Sequence, residues 1–147
     1  MSTAVIDTMV FAYALFNEPT HRQEALAVLE RTDEIHVPDL FRTEFSNVAW
    51  QWVTHQKLSL QQAIQAMERA EALITSVTSS KHLWFNALEI ATFAKHPAYD
   101  ALFVAVAKKI NCPLVTWDKK LLQKFPEIAL KPDSYLKLNV KQNTTCF

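Results

Sequence analysis

The stretch Ala98-Tyr-Asp-Ala-Leu-Phe-Val-Ala-Val-Ala-Lys-Lys-Ile-Asn-Cys-Pro-Leu-Val-Thr-Trp-Asp118 decides the fold. Residues 101–107 hold no polar side chain, so a helix here must be buried all round. Pro97 suits its first turn. Asn111-Cys-Pro113 is turn chemistry. Leu114–Thr116 then reads as a short buried strand, and Asp118 follows it. A wholly apolar helix that leads into an apolar strand belongs to a parallel βαβ crossover, with sheet on one side and helices covering both faces.

The flanking sequence repeats that alternation. Thr3–Ile6 is a short strand. Val10–Phe16 and Glu18–Arg31 are helical, broken near Asn17 and Pro19. Ile35–Pro38 is a second strand. Asp39 is placed to cap a helix reaching about His55, with an apolar stripe of Phe41, Phe45, Val48, Ala49 and Trp52. Ser59 and Gln62 form a capping-box pair for the next helix, whose apolar face carries Leu60, Ala63, Ile64 and Met67. Leu73–Val77 is a third strand and His82–Lys95 a helix. Asp118–Lys124 is a short helix, and Ile128–Leu130 a last edge strand. With no repeat and no linker, residues 1–140 form one domain, and the polar residues 141–147 form a loose tail.

Bulk composition narrows the function. Half of the 147 residues are hydrophobic, enough for a single core. No run is long enough to span a membrane, and no signal peptide is read at the start. Two cysteines, at 112 and 146, make no disulfide framework or zinc spacing, so a cytoplasmic setting is expected. Fifteen basic and fifteen acidic side chains cancel, which argues against a binder that holds nucleic acid by net charge alone. The chain has no glycine, where about 7% is usual. Dinucleotide and P-loop motifs, which need glycine for close approach to phosphate, are therefore excluded.

Four acids stand where elements meet: Asp7 after the first strand, Glu44 in an apolar helical stripe, Asp100 in a first helical turn and Asp118 after the fourth strand. Taken singly, Asp7 and Asp118 could be helix caps, and Asp100 could complement a helix dipole. Glu44 borders a buried face and needs a partner or a metal. Taken together they converge, because right-handed crossovers bring strand ends and the starts of the following helices to one sheet edge. Carboxylates gathered there form a hard-oxygen site for Mg²⁺ or Mn²⁺, which suits metal-assisted phosphodiester cleavage.

These residues resemble the PIN-domain nucleases, and among them the small VapC-type toxins. The matching stretches are Val5-Ile-Asp-Thr-Met-Val, Val37-Pro-Asp-Leu-Phe-Arg-Thr-Glu-Phe-Ser-Asn-Val, Ala98-Tyr-Asp-Ala-Leu-Phe-Val-Ala-Val-Ala and Leu114-Val-Thr-Trp-Asp-Lys-Lys-Leu, spanning residues 3 to about 130. The resemblance implies a three-layer α/β/α sandwich around a parallel sheet of four to five short strands. It implies an Mg²⁺- or Mn²⁺-dependent endoribonuclease, with Asp7, Glu44, Asp100 and Asp118 as acidic cluster and Thr116 as an assisting hydroxyl. It also implies an RNA substrate, a small antitoxin partner and a homodimer. Arg42, Lys119 and Lys120 neighbour the acids and are candidates to face phosphate. Trp117 could stack on a base or pack, and the histidines read as structural or surface residues.

The chain departs from the family at position 9, where Met replaces the usual Asn. A thioether cannot donate a hydrogen bond, so support for Asp7 from that position is missing. This motivates an alternative, a catalytically weak PIN-like module that binds RNA or protein. A receiver-type domain also gathers acids around Mg²⁺, but Asp7 lacks the neighbouring acid which that arrangement needs.

Overall fold

The computed structural model describes residues 1–144, with side chains to residue 139. The order is β1 (Thr3–Ile6), α1 (Thr8–Leu15), α2 (Arg22–Arg31), β2 (Glu34–Pro38), α3 (Leu40–Thr54), α4 (Leu60–Leu73), β3 (Ser76–Thr78), α5 (Trp84–Ala94), α6 (Ala98–Ile110), β4 (Leu114–Val115), α7 (Lys119–Lys124), β5 (Ala129–Leu130) and α8 (Pro132–Thr144). The strands form one sheet in the order β3-β2-β1-β4-β5. Every pairing is parallel. The expected three-layer α/β/α architecture is what the chain adopts.

The register sets the site. Ile6 pairs with Val115, so the next residues of β1 and β4 emerge side by side at one edge. From β1 the chain winds outward through β2 and β3, then returns to β4 on the other side of β1. The β1/β4 boundary is therefore the topological switch point, where an open parallel sheet leaves a crevice at its carboxyl end.

The core explains why these segments order. Ala4, Val5, Ile6, Leu114 and Val115 are fully buried in the central strands, and α6 buries Ala101, Phe103, Val104, Ala105, Val106 and Ala107. Only Leu102 within 101–107 keeps partial exposure, so the apolar helix is enclosed as expected. α6 lies against β1, β2 and β4, with α5 laid over it. Phe11, Phe16, Phe41 and Phe45 interlock α1 with α3, with ring centroids 4.7 Å (Phe11–Phe41) and 5.0 Å (Phe16–Phe45) apart.

Local chemistry corrects several expected boundaries. The Ser59–Gln62 capping box forms in both directions. Asp39, by contrast, makes no cap for α3. Its backbone is already helical, and its carboxylate accepts from the Ser80 amide and hydroxyl, tying the start of α3 to the segment after β3. α2 begins at Arg22 rather than Glu18, because the Glu18 carboxylate accepts from the backbone of Thr20 and His21 and closes a separate turn. α4 runs to Leu73, which delays β3 to Ser76–Thr78. The turns manage without glycine by placing Asn17, Gln56, Lys95 and Asn111 at positive φ. Asparagine tolerates that region, whereas Lys95 and Gln56 hold it against steric cost.

The helix α8 is the element that the sequence reading lacked. The boundary expected at residue 140 falls inside it, and residues 145–147 lie outside the described residues. α8 packs on α2. Tyr135, 2% exposed, anchors it. Thr32 Oγ1 donates to the Val28 carbonyl, so the Tyr135 hydroxyl is the donor in its 2.8 Å bond to Thr32.

Candidate active site

Asp7 leaves β1 in an extended conformation and caps α1. Its Oδ1 accepts from the Thr8 amide at 2.8 Å, and its Oδ2 accepts from Thr116 Oγ1 at 2.7 Å. Thr116 is fully buried. The same hydroxyl accepts from the Asp118 amide at 3.0 Å, so one side chain joins the ends of β1 and β4 across the switch point. Thr8, also buried, donates from Oγ1 to Glu44 Oε2 at 2.7 Å and brings the start of α3 to the same edge.

Asp118 caps α7, with Oδ1 accepting from the amides of Lys120 and Leu121. Asp100 sits in the first turn of α6 and meets His96 Nε2 through Oδ2 at 2.8 Å. Asp100, Asp118, His96, Pro97, Lys119 and Lys120 line one open depression of about 440 Å³. The cap roles expected of Asp7 and Asp118 are thus real, and they fix these carboxylates at the crevice.

Electrostatics links three of the acids. Burial is the main force on Asp7, and the charges of Glu44 and Asp100 act in the same direction. The bonds from Thr116 and Thr8 oppose this only in part, so the Asp7 carboxyl is pushed up to about 6. Glu44 is raised too, by burial first and then by Asp100, against the bond from Thr8. Such mutual repulsion in a partly desolvated site is what a bound cation would relieve.

The structure brings Asp7, Glu44, Asp100 and Thr116 together and sets Asp118 beside Asp100, with Lys119 and Lys120 on the rim. Arg42 lies elsewhere: its guanidinium forms a two-pronged pair with Glu71 on α4. Trp117 packs against Tyr13 and His21 rather than standing free. Met9 is partly buried against the core. Two participants were not singled out in the sequence. Thr8 directly follows the first acid, and His96 lies four residues before Asp100 in the link ahead of α6, where its Nε2 meets the carboxylate.

Among the described residues, no three His, Cys, Asp or Glu side chains lie close enough together to grip one ion. The donors are all carboxylate oxygens, which suit Mg²⁺ or Mn²⁺. Mg²⁺ keeps several waters and takes only one or two protein carboxylates, so the spread-out acids fit it.

A family model described as PIN domain matches residues 4–128. The chain belongs to the PIN-domain family. It is 30% identical over 130 residues to Ribonuclease VapC3 of Pyrobaculum aerophilum, covering 85% of this chain and 96% of that protein. It is 29% identical over 117 residues to Ribonuclease VapC9 of Mycobacterium tuberculosis, covering 80% of this chain and 87% of that one. Among solved structures, it is similar to PAE2754 from Pyrobaculum aerophilum, with a TM-score of 0.73, 19% identity, and coverage of 95% of this chain and 90% of that chain. It is also similar to VapBC2 from Rickettsia felis bound to a DNA fragment from their promoter, with a TM-score of 0.61, 14% identity, and coverage of 88% and 98%. At these identities the two structures establish the fold.

The raised Asp7 pKa gives a signed expectation. A carboxyl whose folded pKa exceeds its unfolded value contributes stability that is complete below about pH 4 and is lost as pH rises through about 6. Metal-free protein should therefore become less stable across that window. Asp7→Asn should remove this slope and raise metal-free stability at pH 8 by roughly 1–2 kcal/mol. Urea unfolding in EDTA at pH 4.5 and pH 8 measures it, and an Asp7→Asn protein less stable than wild type at pH 8 would refute the assignment.

Proposed function

We propose that this chain is a metal-dependent endoribonuclease of the VapC toxin type, hydrolysing phosphodiester bonds in RNA. The observation that carries this reading is the convergence of Asp7, Glu44 and Asp100 at the β1/β4 switch point, where burial and the charges of Glu44 and Asp100 push the Asp7 carboxyl up. The ribonuclease relatives support the substrate class.

In this reading Asp7, Glu44, Asp100 and Asp118 hold Mg²⁺ or Mn²⁺. The ion supplies Lewis-acid polarisation of the phosphate and neutralises charge at the scissile group. The chain's own residues supply the geometry. Thr116 locks the Asp7 carboxylate toward β4, and Thr8 locks Glu44 toward β1. Lys119 and Lys120, exposed on the rim, meet the RNA backbone and offset the acids that would otherwise repel it. Arg42, committed to Glu71, has no such part.

The alternative of a catalytically weak binding module rested on Met9. Asp7 takes donors from Thr116 and Thr8 in this structure, so an amide at position 9 is not needed to hold it.

Two exposed apolar faces suit the partners of such a toxin. The α3–α4 face exposes Trp50, Leu60, Ile64 and Met67, beside a groove lined by Phe41, Phe45 and Ala70. It fits a small antitoxin. The helix α2 has no large exposed apolar side chain. The α5 face exposes Trp84, Phe85, Leu88 and Phe93. It fits a second copy, since α5 carries a single charge, Glu89, and therefore little that would repel a like copy. No helix among the described residues is long and apolar enough to cross a membrane.

Purified protein freed of antitoxin should cleave single-stranded RNA with Mn²⁺ or Mg²⁺ and stop in EDTA. Asp100→Asn should lower the rate at least a hundredfold while leaving the fold intact. Equal residual cleavage in the variant would overturn the reading. For the two faces, Phe85→Lys should halve the mass measured by light scattering and leave antitoxin capture unchanged, and Ile64→Lys should do the reverse. A dimer unaffected by Phe85→Lys would remove α5 from the interface.

A further inference from the structure

His96 sits in the short link between α5 and α6, and the chain holds its backbone on both sides. Lys95 turns into the left-handed region with φ 52° and closes α5. The His96 amide donates to the Ala91 carbonyl at 3.0 Å. Pro97 then starts α6. Lys124 reaches from α7 to the Lys95 carbonyl at 2.7 Å and braces the link. The His96 side chain is 1% exposed, and its ring meets Phe125 edge-on at 6.2 Å.

Only one ring nitrogen is satisfied. Nε2 lies 2.8 Å from Asp100 Oδ2, while the buried Nδ1 has no partner among the described residues. A carboxylate only accepts, so Nε2 carries the proton of this bond. A leucine or phenylalanine would pack here without stranding a buried nitrogen. What an imidazole adds is the bond to Asp100.

Asp100, like Glu44, rests on a single donor among the described residues, whereas Asp7 and Asp118 have two each. Asp7 has two donors, Glu44 has the Thr8 hydroxyl, and Asp118 has two backbone amides. Pro97, at the cap of α6, has no N–H to give, and no side chain caps the helix. Among the described residues, His96 is the sole hydrogen-bond partner of the Asp100 carboxylate, whose side chain is 37% exposed.

We propose that His96 is a positioning residue: its Nε2–H fixes Oδ2 of Asp100 and leaves Oδ1 as the oxygen offered to a cation or its waters. The inference rests on the metal reading given under the proposed function. Ligands of a metal are oriented by just such outer partners, and their loss weakens binding about 10- to 100-fold.

The test is calorimetric titration of Mn²⁺ alone into wild type, His96→Phe, His96→Gln and Asp100→Asn, without RNA, with thermal unfolding recorded for each. Asp100→Asn should abolish or strongly weaken binding. His96→Phe should keep its melting temperature within a few degrees and bind at least tenfold more weakly. His96→Gln, whose amide can donate, should recover most of the affinity. Binding by His96→Phe within twofold of wild type overturns the proposal, and so does equal loss in the Phe and Gln variants. Unchanged affinity in Asp100→Asn would instead sink the metal role of Asp100, and the inference with it. Should His96→Phe fail to fold, ring ¹⁵N spectra of the wild type decide: a proton on Nε2 is required, and a ring protonated at Nδ1 alone refutes it.

Discussion

Like charges gathered at one sheet edge are held there by hydrogen bonds that reach across elements. Burial and neighbouring negative charge push the Asp7 and Glu44 carboxyls up in a partly desolvated crevice, so donors must hold them facing inward. Thr116 and Thr8 do so, each with a buried hydroxyl at 2.7 Å from a carboxylate oxygen. The hydroxyls come from the ends of two neighbouring strands, one at the end of β4 and one at the start of α1, just after β1. Through them the register of two central strands becomes the geometry of a site.

That dependence runs back to the buried framework. A parallel sheet must be covered on both faces, and the fully apolar middle of α6 provides much of one cover. The same helix presents Asp100 in its first turn, so the segment that completes the core also delivers an acid. Asp118 and Asp7 likewise serve as caps for the helices that leave β4 and β1. Structural and chemical roles coincide because the carboxyl ends of strands are where helices begin and where the crevice opens.

Much of this was legible in the residues. Periodicity and apolar runs located the strands, the buried helix and the capping box, and strand-end logic placed the four acids on one edge. What escaped did so for identifiable reasons. α8 has a Pro132 start signal but a weakly patterned face, and its anchor, the Tyr135–Thr32 bond, spans a separation that no local window reveals. Asp39 looked like a cap because it precedes a helix, yet Ser80, remote in sequence, takes its carboxylate. Arg42 looked phosphate-facing because it neighbours Glu44, but two residues along a helix is a turn to another side, where Glu71 waits. Thr8 and His96 show the same limit from the other direction: their chemistry is ordinary until the fold supplies the partner.

The central claim is that these carboxylates form a cation site at the β1/β4 switch point. Crystals grown or soaked with Mn²⁺, with data collected at its absorption edge, test it most directly. The account predicts an anomalous peak between Asp7 and Asp100, within coordination distance of at least one oxygen of each or of waters that they hold. Manganese found only on surface carboxylates such as Glu127 or Asp133, with the crevice empty at millimolar metal, would contradict it.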